Sequence, residues 1–101
     1  MWLMVQFDLP MDSKIQSLAY RRLRKKLRFL GFAALQKSIY LRWEDSNAAA
    51  DRTMERLSDS IPAEGNVAVL RLSDRTLESS VFYESGVSVA APAPPEELLL
   101  C

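Results

Sequence analysis

Apolar positions near the start of the chain predict a strand that leads into a helix. Residues 2–7 (WLMVQF) are apolar on both alternations apart from Gln6, a pattern typical of a central strand covered on both faces. Asp8 ends this strand, and a turn follows it. Asp12 or Ser13 then provides a side-chain oxygen that can cap the next helix.

The first helix is predicted from apolar side chains that recur at helical spacing. These are Ile15, Leu18, Ala19, Leu23, Leu27 and Leu30. Gly31 stands where a C-terminal glycine cap belongs, so the helix is expected over residues 14–30. Arg22 and Lys26 lie against the apolar side, where they need to snorkel or to find carboxylate partners. The opposite side gathers five basic residues in an arc of about 100°: Lys14, Arg21, Arg24, Lys25 and Arg28.

The rest of the pattern adds a second helix and further strands. Residues 32–43 are rich in β-forming side chains, and the segment Gln36-Lys37-Ser38 interrupts them like a bend or bulge. A cap within residues 45–47 starts the second helix, which ends before Pro62. A polar connection with room for one helical turn separates the last two expected strands, residues 67–72 and 80–84.

Two helices among four or five strands imply an α+β fold for residues 1–85. The leading candidate is a ferredoxin-like antiparallel sheet with both helices on one face. The other face then lacks a cover, so we expect a homodimer through that face. Residues 86–95 contain Ala-Pro-Ala-Pro-Pro and are interpreted as an extended linker, and residues 96–101 as a C-terminal docking strand.

Composition narrows the class of protein. A chain of 101 residues is enough for one domain and too short for two. Its apolar runs are too short to span a membrane, and its lone Cys101 fits a reducing cytoplasm. The absence of histidine excludes serine and cysteine triads and imidazole zinc sites. A bound metal would take oxygen ligands, which favours Mg²⁺ or Mn²⁺.

The charges are segregated along the chain although their sum is zero. Residues 14–43 hold nine basic residues and no acidic one, so that segment carries +9. The rest holds four basic residues against thirteen acidic ones, which leaves −9. A solvated helix face is one interpretation of the basic run. Segregation over thirty residues favours a polyanionic partner such as duplex DNA or single-stranded RNA.

Several short motifs resemble one known family in order and spacing over residues 1 to about 85. They are WLMVQFDLP at the start, YRRLRK at residues 20–25, Gly31-Phe32, QKSIY at residues 36–40, PAEGNVAV at residues 62–69 and Phe82-Tyr83. The chain resembles the CRISPR-associated protein two family, the small adaptation protein that works with the CRISPR integrase. No single motif carries the resemblance, which rests on the series.

The resemblance implies a symmetric ferredoxin-like homodimer with the strand-end aspartates of both protomers near the twofold axis. It also implies a Mg²⁺-dependent endonuclease acting on RNA or DNA, and a bridge between two integrase dimers during insertion of new spacers. Asp8 would be the metal ligand and catalytic residue, with Phe7, Ser38 and Tyr40 near the site. Ala33-Ala34 depart from the pattern, because some members have a basic residue there.

The residues themselves leave alternatives open. Two Asp8 carboxylates facing each other would repel unless a divalent cation or a shared proton lay between them. Alternatively, Asp8 only accepts hydrogen bonds from the amides of the Leu9-Pro10 turn. The function is thus a metal-dependent nuclease, a non-catalytic DNA-binding scaffold or, third, a toxin-like ribonuclease dimer.

The tail presents three leucines, each of which gains about 1.5 to 3 kcal/mol when fully buried. Leu98, Leu99 and Leu100 are therefore expected to dock on an edge strand of this chain, of a second copy or of the integrase. A frayed terminus is the alternative.

Overall fold

A four-stranded antiparallel sheet organises the chain in the computed structural model, which describes residues 1–95. The strand order is β2-β3-β1-β4, with β1 in the centre and a separate hairpin of β5 and β6. The ferredoxin-like fold is thereby confirmed. The elements are β1 (Trp2–Asp8), α1 (Lys14–Phe29), β2 (Ala33–Gln36), β3 (Ile39–Trp43), α2 (Asn47–Leu57), a 3₁₀ turn (Ser58–Ser60), β4 (Asn66–Leu72), α3 (Asp74–Glu78), β5 (Phe82–Glu84) and β6 (Val87–Val89).

Side-chain caps fix where the two long helices begin. Before α1, the Ser13 hydroxyl accepts a hydrogen bond from the Gln16 amide, and the Gln16 side chain accepts one from the Ser13 amide. Before α2, the Ser46 hydroxyl accepts one from the Ala49 amide at 3.0 Å. Helix α1 ends one residue earlier than predicted, and Gly31 follows with a φ of +88°.

One hydrophobic core lies between the sheet and the two long helices. Odd-numbered residues of β1 enter it, since successive side chains of a strand point to opposite faces. Both helices cover these residues, as predicted. The buried members are Leu3, Val5, Phe7, Tyr20, Leu23, Leu27, Leu30, Phe32, Tyr40, Ala50 and Leu57.

A second, smaller core lies on the opposite face of the sheet, so the prediction of a face without any cover is wrong at one end. Trp2 and Leu41 are buried there against Leu77 of α3, with Phe82 of β5 beside them. The polar connection after β4 folds into α3, because Leu77 can be buried there and Ser73 caps the helix. The other end of this face, around Gln6, Asp8 and Ala68, stays exposed.

Two local predictions also need correction. The segment Gln36-Lys37-Ser38 is not a bend within one strand: Gln36 ends β2, Lys37 and Ser38 form the turn of the β2–β3 hairpin, and the predicted bulge corresponds to a register shift between Ala34 and Gln36. The predicted linker 86–95 begins with β6, which pairs with β5. Ser85 and Gly86 both have a positive φ, the backbone that tight hairpin turns require. The predicted docking strand 96–101 lies outside the described residues.

Glu44 ties β3 to both long helices although it sits at a strand end that sequence periodicity leaves unassigned. Its carboxylate is buried, accepts a hydrogen bond from Arg42 Nε at 2.7 Å and accepts another from the Thr53 hydroxyl at 2.5 Å. Arg42 Nη1 also donates to the Leu30 carbonyl at the end of α1, at 2.7 Å. The network thus links the end of β3 to the carbonyl at the end of α1 and to a hydroxyl of α2, and it supplies hydrogen bonds to the buried carboxylate.

We expect Glu44→Ala to destabilise the fold by about 1.5 to 3 kcal/mol, the usual effect of losing hydrogen bonds to a charged group. Arg42 keeps partial access to water, which limits the loss. Urea unfolding of the variant measures it, with Glu55→Ala on the exposed side of α2 as the control. The control should stay within about 0.5 kcal/mol of wild type. Equal midpoints for all three proteins would contradict a structural role for Glu44.

Candidate nucleic-acid interface and metal ligand

The basic segment stays almost free of carboxylate neighbours in the folded chain. The three ion pairs of residues 1–95 are Met1–Asp74, Arg42–Glu44 and Arg71–Asp51. Of the nine basic residues between Lys14 and Trp43, only Arg42 therefore has a carboxylate within 4.0 Å in that part of the chain. The helix α1 contains no acidic residue of its own. The positive charges of α1 are therefore available to an anionic ligand.

The predicted arc on α1 faces solvent. Lys14, Arg21, Lys25 and Arg28 are exposed, and Arg24 is half-buried. The two basic residues outside the arc find no carboxylate among residues 1–95. Lys26 lies 5.9 Å from the ring centroid of the exposed Phe29, and Arg22 points to solvent. Neither residue therefore forms an ion pair in that part of the chain; Arg22 is exposed and Lys26 is half-buried.

Two of the five residues of the arc line a cleft of about 350 Å³ beside the β2–β3 hairpin. We call it the basic cleft and define it by its lining: Tyr20, Arg24, Arg28, Ala34, Leu35, Gln36, Lys37 and Tyr40. Helix α1 contributes two cations and the hairpin turn contributes the third. No acidic residue among residues 1–95 lines it.

Arg24 is held in place at the floor of the basic cleft. Its Nε donates a hydrogen bond to the Tyr40 hydroxyl at 3.2 Å, and its guanidinium carbon lies 5.5 Å from the centroid of the Tyr20 ring. Phe7 packs between the rings, stacked on Tyr40 and edge-on to Tyr20. The hydrogen bond that Arg24 donates to the Tyr40 hydroxyl raises the pKa of Arg24 above its usual value.

Lys37 is the residue of the basic cleft that sequence reasoning missed. A helical projection relates residues of α1 to one another, but it cannot place a turn of the neighbouring sheet beside them. The signal that would have found Lys37 is the β2–β3 pairing, in which Ala34 lies opposite Tyr40.

Asp8 lies on the other side of the sheet. Leu3, Val5 and Phe7 point into the helix-side core, so strand alternation directs Asp8 to the opposite face, where its partner across the ladder is Asn66. Asp8 is exposed, and its carboxylate makes no hydrogen bond among residues 1–95. The alternative of hydrogen bonds to the Leu9-Pro10 turn is therefore not seen.

The three residues predicted near Asp8 lie around the basic cleft or behind it. Phe7 and Tyr40 are buried on the helix side of the sheet. The Ser38 carbonyl accepts a hydrogen bond from the Phe7 amide at 3.1 Å, which holds the hairpin turn against the end of β1. The structure thus brings Phe7 and Tyr40 together with Arg24 and separates their side chains from Asp8.

Asp8 can hold Mg²⁺ only as one ligand among several. Residues 1–95 contain no group of three or more His, Cys, Asp or Glu side chains that could surround an ion. Mg²⁺ does bind through one or two carboxylates when water and substrate phosphates complete its shell. An exposed carboxylate without an internal partner is compatible with that type of site and with weak affinity.

Exposed apolar side chains lie on β4, on the sheet face that also carries Asp8, and on the separate β5–β6 hairpin. Leu70 of β4 is 38% exposed, although its neighbours in the ladder are apolar. On the β5–β6 hairpin, Tyr83 is 63% exposed and Val87 is 66% exposed. Exposed apolar side chains of this kind are candidates for an interaction surface.

Comparison with known proteins identifies the family. Residues 1–80 match the family model described as CRISPR associated protein Cas2. The chain belongs to the Cas2 family. It is 38% identical to a CRISPR-associated endoribonuclease Cas2 of Parvibaculum lavamentivorans over 100 residues, which cover 99% of each chain. It is 30% identical to one of Paracidovorax avenae over 97 residues, which cover 96% of this chain and 90% of that relative.

The family assignment confirms the resemblance drawn from the motifs. A third relative, the CRISPR-associated endoribonuclease Cas2 of Acidovorax ebreus, is 37% identical over 97 residues, covering 89% of this chain and 95% of the relative. Within residues 1–95 of this Cas2-family chain, no helix is long and apolar enough to cross a membrane.

Gly65 fixes the backbone that presents Asp8. Its φ is +86°, and a Cβ there would lie 2.7 Å from the Asp8 carbonyl oxygen and 2.8 Å from Leu9 Cδ2. Gly86 has a similar φ of +81° but open space around it. A side chain at position 86 would therefore introduce backbone strain alone, whereas one at position 65 would introduce both strain and a steric clash.

We expect Gly86→Ala to cost about 1 to 2 kcal/mol of stability, the strain of a left-handed residue alone. Gly65→Ala should cost more, since the end of β1 must also move. Urea unfolding measures both variants. Equal losses for the two would show that the contact of Gly65 with Asp8 does not constrain the strand end.

Proposed function

We propose that this Cas2-family chain binds nucleic acid along the exposed face of α1 and acts in CRISPR adaptation. The observation that supports the proposal most is the set of eight basic side chains between Lys14 and Lys37 that lack a carboxylate neighbour in the described chain. Phosphates of nucleic acid would neutralise them and release condensed counterions. A helix face whose charges were already paired with carboxylates would not gain free energy in this way.

The binding is expected to follow shape and charge rather than base sequence. The two tyrosine rings beside the basic residues are buried, so their faces are not available for stacking with bases. Arginine and lysine on a helix surface contact phosphates, which position a ligand without reading its sequence.

A homodimer completes the proposal. The exposed Leu70 lies on the side of the sheet away from the long helices, and Tyr83 and Val87 are exposed on the β5–β6 hairpin, so a second copy can bury them. A domain of this size buries only about two-thirds of its unfolded surface and gains stability from an apolar interface. Such a dimer would present two symmetric α1 faces, one from each protomer, and we propose that it bridges two dimers of the CRISPR integrase.

Endoribonuclease activity is part of the proposal because the curated relatives carry that name. Asp8 of both protomers would hold Mg²⁺, or Mn²⁺. When bound, the ion stabilises the charge of a phosphodiester and activates water for its hydrolysis. The chain's own contribution is an exposed carboxylate at a strand end whose backbone is fixed by Gly65.

A non-catalytic DNA-binding scaffold is the second candidate, and the placement of Asp8 supports it. Asp8 faces away from the long helices, and no second carboxylate joins it among residues 1–95. Nothing comparable favours a toxin-like ribonuclease. We further propose that Leu98, Leu99 and Leu100 bind the integrase and that the protein acts in the cytoplasm, although both proposals rest on the sequence alone.

We expect charge reversal of Arg21, Arg24 and Arg28 to weaken binding of duplex DNA and to flatten its salt dependence. The slope of log K against log[salt] should fall by about 0.9 for each phosphate that loses its contact. Fluorescence anisotropy with a labelled duplex at several salt concentrations measures the slope. Reversal of Arg52, Arg56 and Arg75 is the matched control, since it changes the charge equally at side chains that lie outside the basic arc of α1 and outside the basic cleft. An unchanged slope for the α1 variant would leave α1 a solvated surface.

We expect Asp8→Asn to abolish Mg²⁺-dependent cleavage of single-stranded RNA while preserving the dimer, because the amide is isosteric but a poorer ligand for a hard cation. Cleavage assays with and without Mg²⁺ measure activity, and light scattering measures the dimer. Full cleavage by the variant would rule out Asp8 as the metal ligand. Lost cleavage with intact spacer integration would favour the scaffold, and a monomeric wild type would contradict a site shared by two protomers.

A further inference from the structure

We propose that the basic cleft holds one phosphate group of the bound nucleic acid and that Tyr40 is a positioning residue for Arg24. This inference rests on the proposed nucleic-acid binding and specifies where on α1 one phosphate is seated. The inference rests on the position of Arg24, which is held between Tyr20 and Tyr40. A second arginine, Arg28, and a lysine, Lys37, lie at the rim of the cleft.

The geometry of Arg24 leaves its binding atoms available. Nε is engaged by the Tyr40 hydroxyl, and the guanidinium lies against the Tyr20 ring. The two terminal nitrogens make no hydrogen bond within residues 1–95. They form the pair of parallel donors that suits two phosphate oxygens. Because the side chain is fixed before binding, less conformational entropy is lost when the phosphate arrives.

The other cations reach the same opening from two elements. Arg28 follows Arg24 by one helical turn on the same face of α1, and Lys37 projects from the β2–β3 turn. Both are exposed and neither has a carboxylate partner in the described chain. Ala34 adds only a methyl group to the cleft wall, so the hairpin does not fill the space between them.

Neighbouring grooves with basic residues are different in composition. The groove between α1 and α2 places Glu55 and Asp59 beside Lys26, Arg52 and Arg56. The groove at the start of α1 places Asp12 beside Lys14 and Arg21. Those carboxylates would repel an anion, whereas the described part of the chain places none in the basic cleft. The cleft is therefore the strongest anion site among these three.

A phosphate fits the cleft better than a base does. Tyr20 and Tyr40 are buried beneath Arg24, so no aromatic face is presented to a base. The groups that are presented are the ends of two guanidinium groups and one ammonium group. An internal phosphodiester and a terminal phosphate monoester share the chemistry that these groups recognise.

The test compares salt slopes for a labelled DNA duplex with Arg28→Gln, Lys37→Gln and the double variant. If both side chains share one phosphate, each single variant lowers affinity, but the double variant lowers the slope by about 0.9 in total rather than by twice that amount. Arg56→Gln is the control of equal charge change and should leave the slope as in wild type. Duplexes with and without 5′-phosphates distinguish the two sources: an effect that needs the 5′-phosphate supports a terminal monoester, and an effect that persists without it supports a diester.

Tyr40→Phe tests positioning, because it keeps the ring that stacks on Phe7 and removes only the partner of Arg24. We expect about two- to tenfold weaker binding with an unchanged salt slope, since one hydrogen bond to a neutral acceptor is lost and no charge is removed. In an Arg24→Gln background, Tyr40→Phe should have no further effect. A purely structural role would give the same loss in both backgrounds, and urea unfolding checks that the ring still packs.

The outcomes separate the two proposals. Wild-type protein without affinity for the duplex would overturn both. Wild-type binding that depends on Arg21 but not on Arg28 or Lys37 would overturn the basic cleft alone. Additive slopes in the double variant, or a Tyr40→Phe effect independent of Arg24, would also overturn it.

Discussion

Strand β1 is buried on both of its faces near its start, and the alternation of its side chains organises the rest of the molecule. Leu3, Val5 and Phe7 pack against the two long helices, while Trp2 packs against α3 on the other side. The same alternation continues to the strand end, where Phe7 supports Tyr40 and Tyr20, and Asp8 faces the opposite way. A single two-sided strand therefore assigns the basic helix and the candidate metal ligand to different surfaces.

This separation gives the two surfaces different requirements. The helix side presents cations that have no carboxylate neighbour among residues 1–95, which suits a polyanion. The Asp8 side presents a carboxylate that no second carboxylate joins among residues 1–95, and the exposed Leu70 lies on the same face. In the proposed dimer, another copy would supply both apolar cover and a second carboxylate to this side. The proposed nucleic-acid binding and the proposed cleavage would thus depend on different contacts.

Sequence periodicity predicted the features that depend on regular spacing. The apolar repeat gave α1 within one residue, and the same projection placed Lys14, Arg21, Arg24, Lys25 and Arg28 on the exposed face. It gave α3 only as room for one helical turn and missed β6, because a five-residue helix and a three-residue strand are too short to show a period. These elements depend on burial of Leu77 and on the turn at Ser85-Gly86. It also missed Lys37 and the separation of Tyr40 from Asp8, since both follow from strand pairing between distant residues.

The central claim is that nucleic acid binds the α1 side while Asp8 lies on the other surface. Amide chemical-shift changes during titration of the protein with a short DNA duplex test it most directly, because they map the contact residue by residue. The account predicts the largest changes in α1 from Arg21 to Arg28 and at Lys37, with Asp8, Asn66 and Ala68 almost unaffected. The largest changes at Asp8 and Asn66, with α1 unchanged, would contradict it.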